Sequence, residues 1–64
     1  MQQIIETSGN RAVVINGQPA LGHFWACLYV NARNGIQNAD ITQLRWKGKT
    51  FAGARKWAAK QLAA

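Results

Sequence analysis

The clearest pattern in the chain is a two-residue alternation over His23–Arg33. Phe24, Ala26, Leu28, Val30 and Ala32 fall on one face, Trp25, Cys27, Tyr29, Asn31 and Arg33 on the other. The first set is uniformly apolar and predicts a core face; the second carries aromatics with polar handles and suits a partly exposed one. Ile41–Lys47 repeats the pattern, with Leu44 and Trp46 opposed to Gln43, Arg45 and Lys47. Two shorter strands are expected before these. Gln2–Thr7 centres on Ile4 and Ile5 and is closed by Ser8-Gly9-Asn10, and Arg11–Asn16 holds the run Ala12-Val13-Val14-Ile15. Asn16-Gly17 supplies the positive φ angles of a tight hairpin turn, and Pro19, with no amide to donate, makes Gln18–Gly22 loop or edge.

From residue 50 the period changes. Phe51, Ala54, Ala58 and Leu62 form one stripe at 100° per residue, with Lys56 and Lys60 opposite, so residues 51–63 read as a helix. Thr50 is its N-cap, and Ala54, Ala58, Ala59 and Ala63 favour it. A two-residue turn at Asn34-Gly35 would put Phe24 and Arg45 on the same side and mix charge into the core. A wider loop through Asp40, or a bulge, avoids this. The expected fold is therefore α+β: an antiparallel sheet of three to four strands packed on one C-terminal helix, as a single domain over residues 1–64. Its inner face would be Phe24, Leu28, Val30, Leu44 and Trp46. Its outer face would be Trp25, Tyr29, Arg33, Gln43, Arg45 and Lys47.

Composition agrees with a folded domain: 48% of the 64 residues are hydrophobic and 16% charged. So short a chain holds one small core, which makes a homodimer a candidate assembly. The lone Cys27 excludes an intramolecular disulfide scaffold. No signal-peptide pattern or membrane-length apolar run is present, so the expected setting is cytoplasmic, in a bacterium, phage or other mobile element.

Charge narrows the function. The net charge is +6, yet Arg11 and Arg33 balance Glu6 and Asp40 through residue 43. Arg45, Lys47, Lys49, Arg55, Lys56 and Lys60 all follow with no acid among them. A one-sided field of this kind attracts polyanions. Cations and a Gln beside Trp25 and Tyr29 suit nucleic acid: cations neutralise phosphates, Arg and Gln can read base edges, and aromatic rings pack on sugars or bases. The opposing structural reading has Trp25 and Tyr29 covering a second small core. Lys47-Gly48-Lys49-Thr50 lacks the spacing of a nucleotide-binding loop, but Lys47, Lys49 and the amides at the Thr50 helix start could seat a backbone phosphate. Glu6 and Asp40 stand apart, and His23 with Cys27 gives too few ligands for a metal, so no catalytic, cofactor or metal site is expected. Trp57 reads as core edge or dimer contact.

The strands followed by Thr50-Phe51-Ala52-Gly53-Ala54-Arg55-Lys56-Trp57-Ala58-Ala59 resemble two kinds of module. One comprises the plant ethylene-response-type DNA-binding domain and the arm-binding domains of tyrosine-recombinase integrases. The resemblance covers about residues 23–63 and implies a three-stranded sheet entering the major groove, with contacts from Trp25, Arg33, Arg45 and Lys47. The other is the double-stranded-RNA-binding domain, whose last helix Thr50, Ala54, Arg55, Ala58 and Ala59 resemble. The sequence-level expectation is thus a small basic protein binding duplex DNA through Trp25, Tyr29, Arg33, Gln43, Arg45, Lys47, Lys49 and Thr50. Its alternatives are double-stranded RNA binding and a protein-interaction module or inhibitor of a host protein.

Overall fold

The computed structural model describes residues Gln2–Ala63. Four strands, β1 (Gln2–Ser8), β2 (Arg11–Gln18), β3 (His23–Val30) and β4 (Asp40–Gly48), precede one helix, α1 (Phe51–Ala63). The strands pair antiparallel in chain order, and α1 lies across one face of the sheet. This is the α+β arrangement that the alternation and the Ala-rich C-terminal segment predict.

The turns explain where the strands stop. Ser8 pairs with Arg11, so Gly9-Asn10 is a two-residue connection with Gly9 at φ 60°. Glycine supplies that conformation without a Cβ penalty. The turn expected at Asn16-Gly17 does not form. β2 runs on through Gln18, and the chain reverses in a 3-10 turn at Pro19–Leu21 that ends on Gly22. Pro19 has its φ preset and no amide to lose, which suits the start of that turn. Gly17 serves β2 differently: a Cβ there would lie 2.5 Å from two ring atoms of Phe24, so the ring packs directly over bare backbone.

β3 ends at Val30, three residues short of the expected Arg33. Asn31 turns the chain out at φ 57°, and its side-chain amide donates to Asp40 at 2.6 Å. Asn10 donates to the Asn31 side chain at 3.3 Å and accepts the Ala32 N–H on its carbonyl at 2.9 Å. These contacts shape residues 31–39 into the wide loop that the register argument requires. An irregularity is also present. Cys27 pairs with Arg45 and Tyr29 with Ile41, so one β3 residue faces three of β4, Thr42, Gln43 and Leu44. The Thr42 hydroxyl donates to the Leu28 carbonyl at 2.9 Å and accepts the Leu44 N–H at 3.1 Å. Leu44, expected beneath the helix, is 51% exposed because it belongs to this interrupted stretch of ladder.

The core joins Val13 and Ile15 of β2, Ala26 and Leu28 of β3, and Ala54 and Ala58 of α1, edged by Trp46, Phe51, Trp57 and Leu62. Both helix alanines are fully buried, so their small side chains let α1 approach the sheet closely. Trp46 packs against the helix where Gly53 has no side chain. Thr50 caps α1 as expected, its hydroxyl accepting the Gly53 N–H at 3.1 Å. At the other end the Arg11 guanidinium donates to the Gln61 carbonyl at 3.0 Å, a cation placed where the helix dipole is negative. No helix of the described residues is long and apolar enough to cross a membrane.

Candidate nucleic-acid interface

Because α1 covers one face only, side chains of opposite parity make up a helix-free face. The strand registers arrange them in rows. Gln3, Asn16, Trp25 and Lys47 form one, and Ile5, Val14, Cys27 and Arg45 the next. Thr7, Ala12, Tyr29 and Ile41 form a third. Within the first row the Gln3 amide donates to Asn16 at 3.0 Å. Trp25, Cys27 and Tyr29 are half-buried along β3, and Ala12 and Val14 beside them are almost fully covered. That burial comes from neighbours within the sheet, since no second layer lies over this face among the described residues.

Trp25, Arg45 and Lys47 come together. They line a shallow groove at the β4 edge with Ala26 and Trp46, and an adjoining one joins His23, Phe24, Trp25, Lys47 and Gly48. The Arg45 guanidinium folds back to donate to the Thr42 carbonyl, yet the side chain stays exposed with most of its five N–H donors unused. Tyr29 lies one row on. Its phenol is pushed above the ordinary 10.0, first by burial, then by negative charge on the nearby Cys27 sulfur and a hydrogen bond with it, with the Arg45 charge pulling the other way. Tyr29 is therefore a neutral hydroxyl, able to donate or accept, at physiological pH.

The other expected site residues are placed less uniformly. Gln43 is exposed within the irregular stretch of β4, between Ile41 and Arg45. Lys49 is exposed at the β4–α1 junction, while the Thr50 hydroxyl is engaged in capping the helix. Arg33 does not belong to the strand face. It lies in the loop after β3, its backbone N–H bonded to the Asn10 side chain at 3.1 Å, beyond the Tyr29 end of the sheet. Five residues of strand separate the Trp25 level from Val30, roughly 17 Å at the usual rise, so Arg33 stands well away from Lys47 and Lys49. Lys56 and Lys60 are not simply opposite the core; with Trp46, Gly53 and Trp57 they line a groove on the helix side of β4.

Both acids are turned to the other side. Glu6 shares a row with Val13 and Leu28 under the helix edge and meets Arg55 at 3.4 Å; Asp40 pairs with Val30 and holds Asn31. The helix-free face thus carries Arg45 and Lys47 with no carboxylate in its rows. Sequence reasoning missed the contribution of β1 and β2 to it: Gln3, Ile5, Val14 and Asn16 complete the rows. The Gly9-Asn10 turn was the available signal, because a two-residue connection there pairs Ile5 with Val14. Comparison of the chain with profiles of known protein families, with curated proteins and with solved structures finds no match.

Proposed function

We propose that the chain binds double-stranded DNA through its helix-free sheet face. The observation that carries this reading is the grouping of Trp25, Arg45 and Lys47 on a face whose rows hold no acid. In this reading Arg45 and Lys47 neutralise backbone phosphates, while Trp25 and Tyr29 pack on sugars or the groove wall. The β3–β4 ribbon, about 5 Å between strands, fits the roughly 12 Å width of a major groove. Gln43 is then the side chain suited to an adenine edge, and Lys49 extends the phosphate contacts past the end of β4. The resemblance to sheet-reading DNA-binding domains points the same way.

A second reading has its own observation. Ile5 and Ile41 are 46% and 55% exposed on the same face, and exposed aliphatics beside aromatics suit a protein partner. Fluorescence-anisotropy titrations of labelled duplex DNA, duplex RNA and single-stranded DNA across a salt series separate the readings. Duplex DNA should bind most tightly, and Arg45→Ala and Lys47→Ala should each lower the log–log salt slope by about 1. Duplex RNA binding more tightly would transfer the face to that ligand. Failure to bind any of the three at low salt would remove the nucleic-acid reading and leave the protein partner.

A further inference from the structure

The two edges of the sheet are built differently. The β4 edge carries Arg45 and Lys47 and an interrupted ladder at Thr42–Leu44, devices that discourage another strand from docking. The β1 edge has none of them. Gln2–Ser8 contains no Lys, Arg or Pro, and its seven residues pair with β2 without a bulge. Among the described residues no strand lies beside its outer N–H and C=O groups. Ile4 and Ile5 at its centre are 37% and 46% exposed. Its one charge, Glu6, is already matched by Arg55 at 3.4 Å on the helix side. Regular edges with exposed aliphatics and no lysine, arginine or proline are templates for strand addition.

We propose that β1 is a self-pairing edge, and that a second copy of this chain adds its own β1 antiparallel to it about a two-fold axis at Ile5. The strand is symmetric in extent about that residue. Turned on itself it sets Gln2 opposite Ser8, Gln3 opposite Thr7, Ile4 opposite Glu6, and Ile5 opposite its own copy. Every residue of β1 is then paired and no like charges face each other. Charge selects this edge as well. Each copy carries +6, and β1 lies three strand spacings, about 14 Å, from the Arg45 and Lys47 edge. Pairing through β4 would instead bring those cations together. A β1-to-β4 contact would be head-to-tail and would not close, whereas β1 with β1 ends at two copies. One strand pair buries less than a standard interface, so the dimer is a weak one, with dissociation in the micromolar to millimolar range. The product is a continuous eight-stranded sheet.

Sedimentation equilibrium of the full chain without nucleic acid, up to about 1 mM, tests this independently of any DNA binding. The parent should pass from monomer to dimer and stop there. Ile5→Lys, which sets two cations face to face on the axis, should remain monomeric at every concentration, while Leu21→Lys at an exposed site off this edge should dimerise like the parent. Should Ile5→Lys fail to fold by circular dichroism, cross-linking keeps the question decidable. With Cys27→Ser, Ile5→Cys should oxidise to a disulfide dimer, because directly opposed Cβ atoms approach to about 4.5 Å, the upper end of the disulfide range; Gln3→Cys, which faces Thr7 instead, should not. A monomeric parent throughout, an Ile5→Lys that dimerises like the parent, equal cross-linking at positions 3 and 5, or growth beyond two copies would each overturn the proposal.

Discussion

Replacing Gly17 by alanine probes how Phe24 closes the core. Gly17 is buried in β2, paired with Gln2 on one side and Phe24 on the other, and its φ lies outside the positive range that excludes side chains. An alanine could therefore adopt its backbone, and would gain about 0.4–1 kcal/mol by restricting the unfolded chain. Against this stands a Cβ 2.5 Å from two ring atoms of Phe24. The ring cannot swing freely, since it is 8% exposed and lies 6.1 Å from the Phe51 ring at the start of α1. Overpacking of that kind costs about 1–3 kcal/mol. The overpacking exceeds the entropic gain, for a net loss of about 1–2 kcal/mol and a fall in Tm of about 5–15 °C in a domain this small. Thermal and urea unfolding followed by circular dichroism would measure it. In the Phe24→Leu background the ring is gone, so Gly17→Ala should there be neutral or stabilising, a coupling of at least about 1 kcal/mol. An equal loss in both backgrounds, or a higher Tm for Gly17→Ala alone, would refute the close approach.

Thr50→Ala should destabilise the protein by about 1 kcal/mol in urea unfolding, because it removes the acceptor of the Gly53 N–H, and Thr50→Ser should restore most of the loss. Tyr29 should titrate above pH 10.0 by ultraviolet absorbance, and Arg45→Ala should move it higher still, because the guanidinium is the one influence pulling it down. With its folded-state pKa raised, Tyr29 binds its proton longer in the folded chain than in the unfolded one, so stability should fall as pH rises past 10 and be unaffected by Tyr29 below it.

What was legible in the sequence was whatever depends on near neighbours. The α1 stripe and the Thr50 cap are set within a turn or two of helix, and the alternation of Phe24 through Val30 follows from strand geometry alone. The need for a wide loop before β4 was also readable, because a tight turn would have put Arg45 into the core. The misreadings share a cause in partners distant along the chain. Asn16-Gly17 has the composition of a turn, but Gly17 is required beneath a ring seven residues away. β3 stops at Asn31 because Asn10 and Asp40 hold that residue in a left-handed conformation, and Arg33 is carried off the face with the loop. Leu44 keeps an inward position in the alternation yet is exposed, since the ladder is interrupted at Thr42. Nothing local marks that interruption. The candidate face was legible in Trp25, Tyr29, Arg45 and Lys47, and incomplete where β1 and β2 contribute.

The chain-order meander also sets a sequence of assembly. Each hairpin closes a connection of two to nine residues, whereas docking α1 brings Arg55 to Glu6 and Gln61 to Arg11, 49 and 50 residues apart. Short closures are faster and lose less entropy, and a 13-residue helix is marginal when alone in water. Sequence separation therefore predicts that the hairpins form before Ala54 and Ala58 seat on Val13 and Leu28, and φ values near zero for Ala58→Gly beside higher ones in β2 and β3 would bear that order out. Without α1 in place, Val13, Ile15, Ala26 and Leu28 have no cover on that face of the sheet, so the helix contact is what keeps these side chains from water.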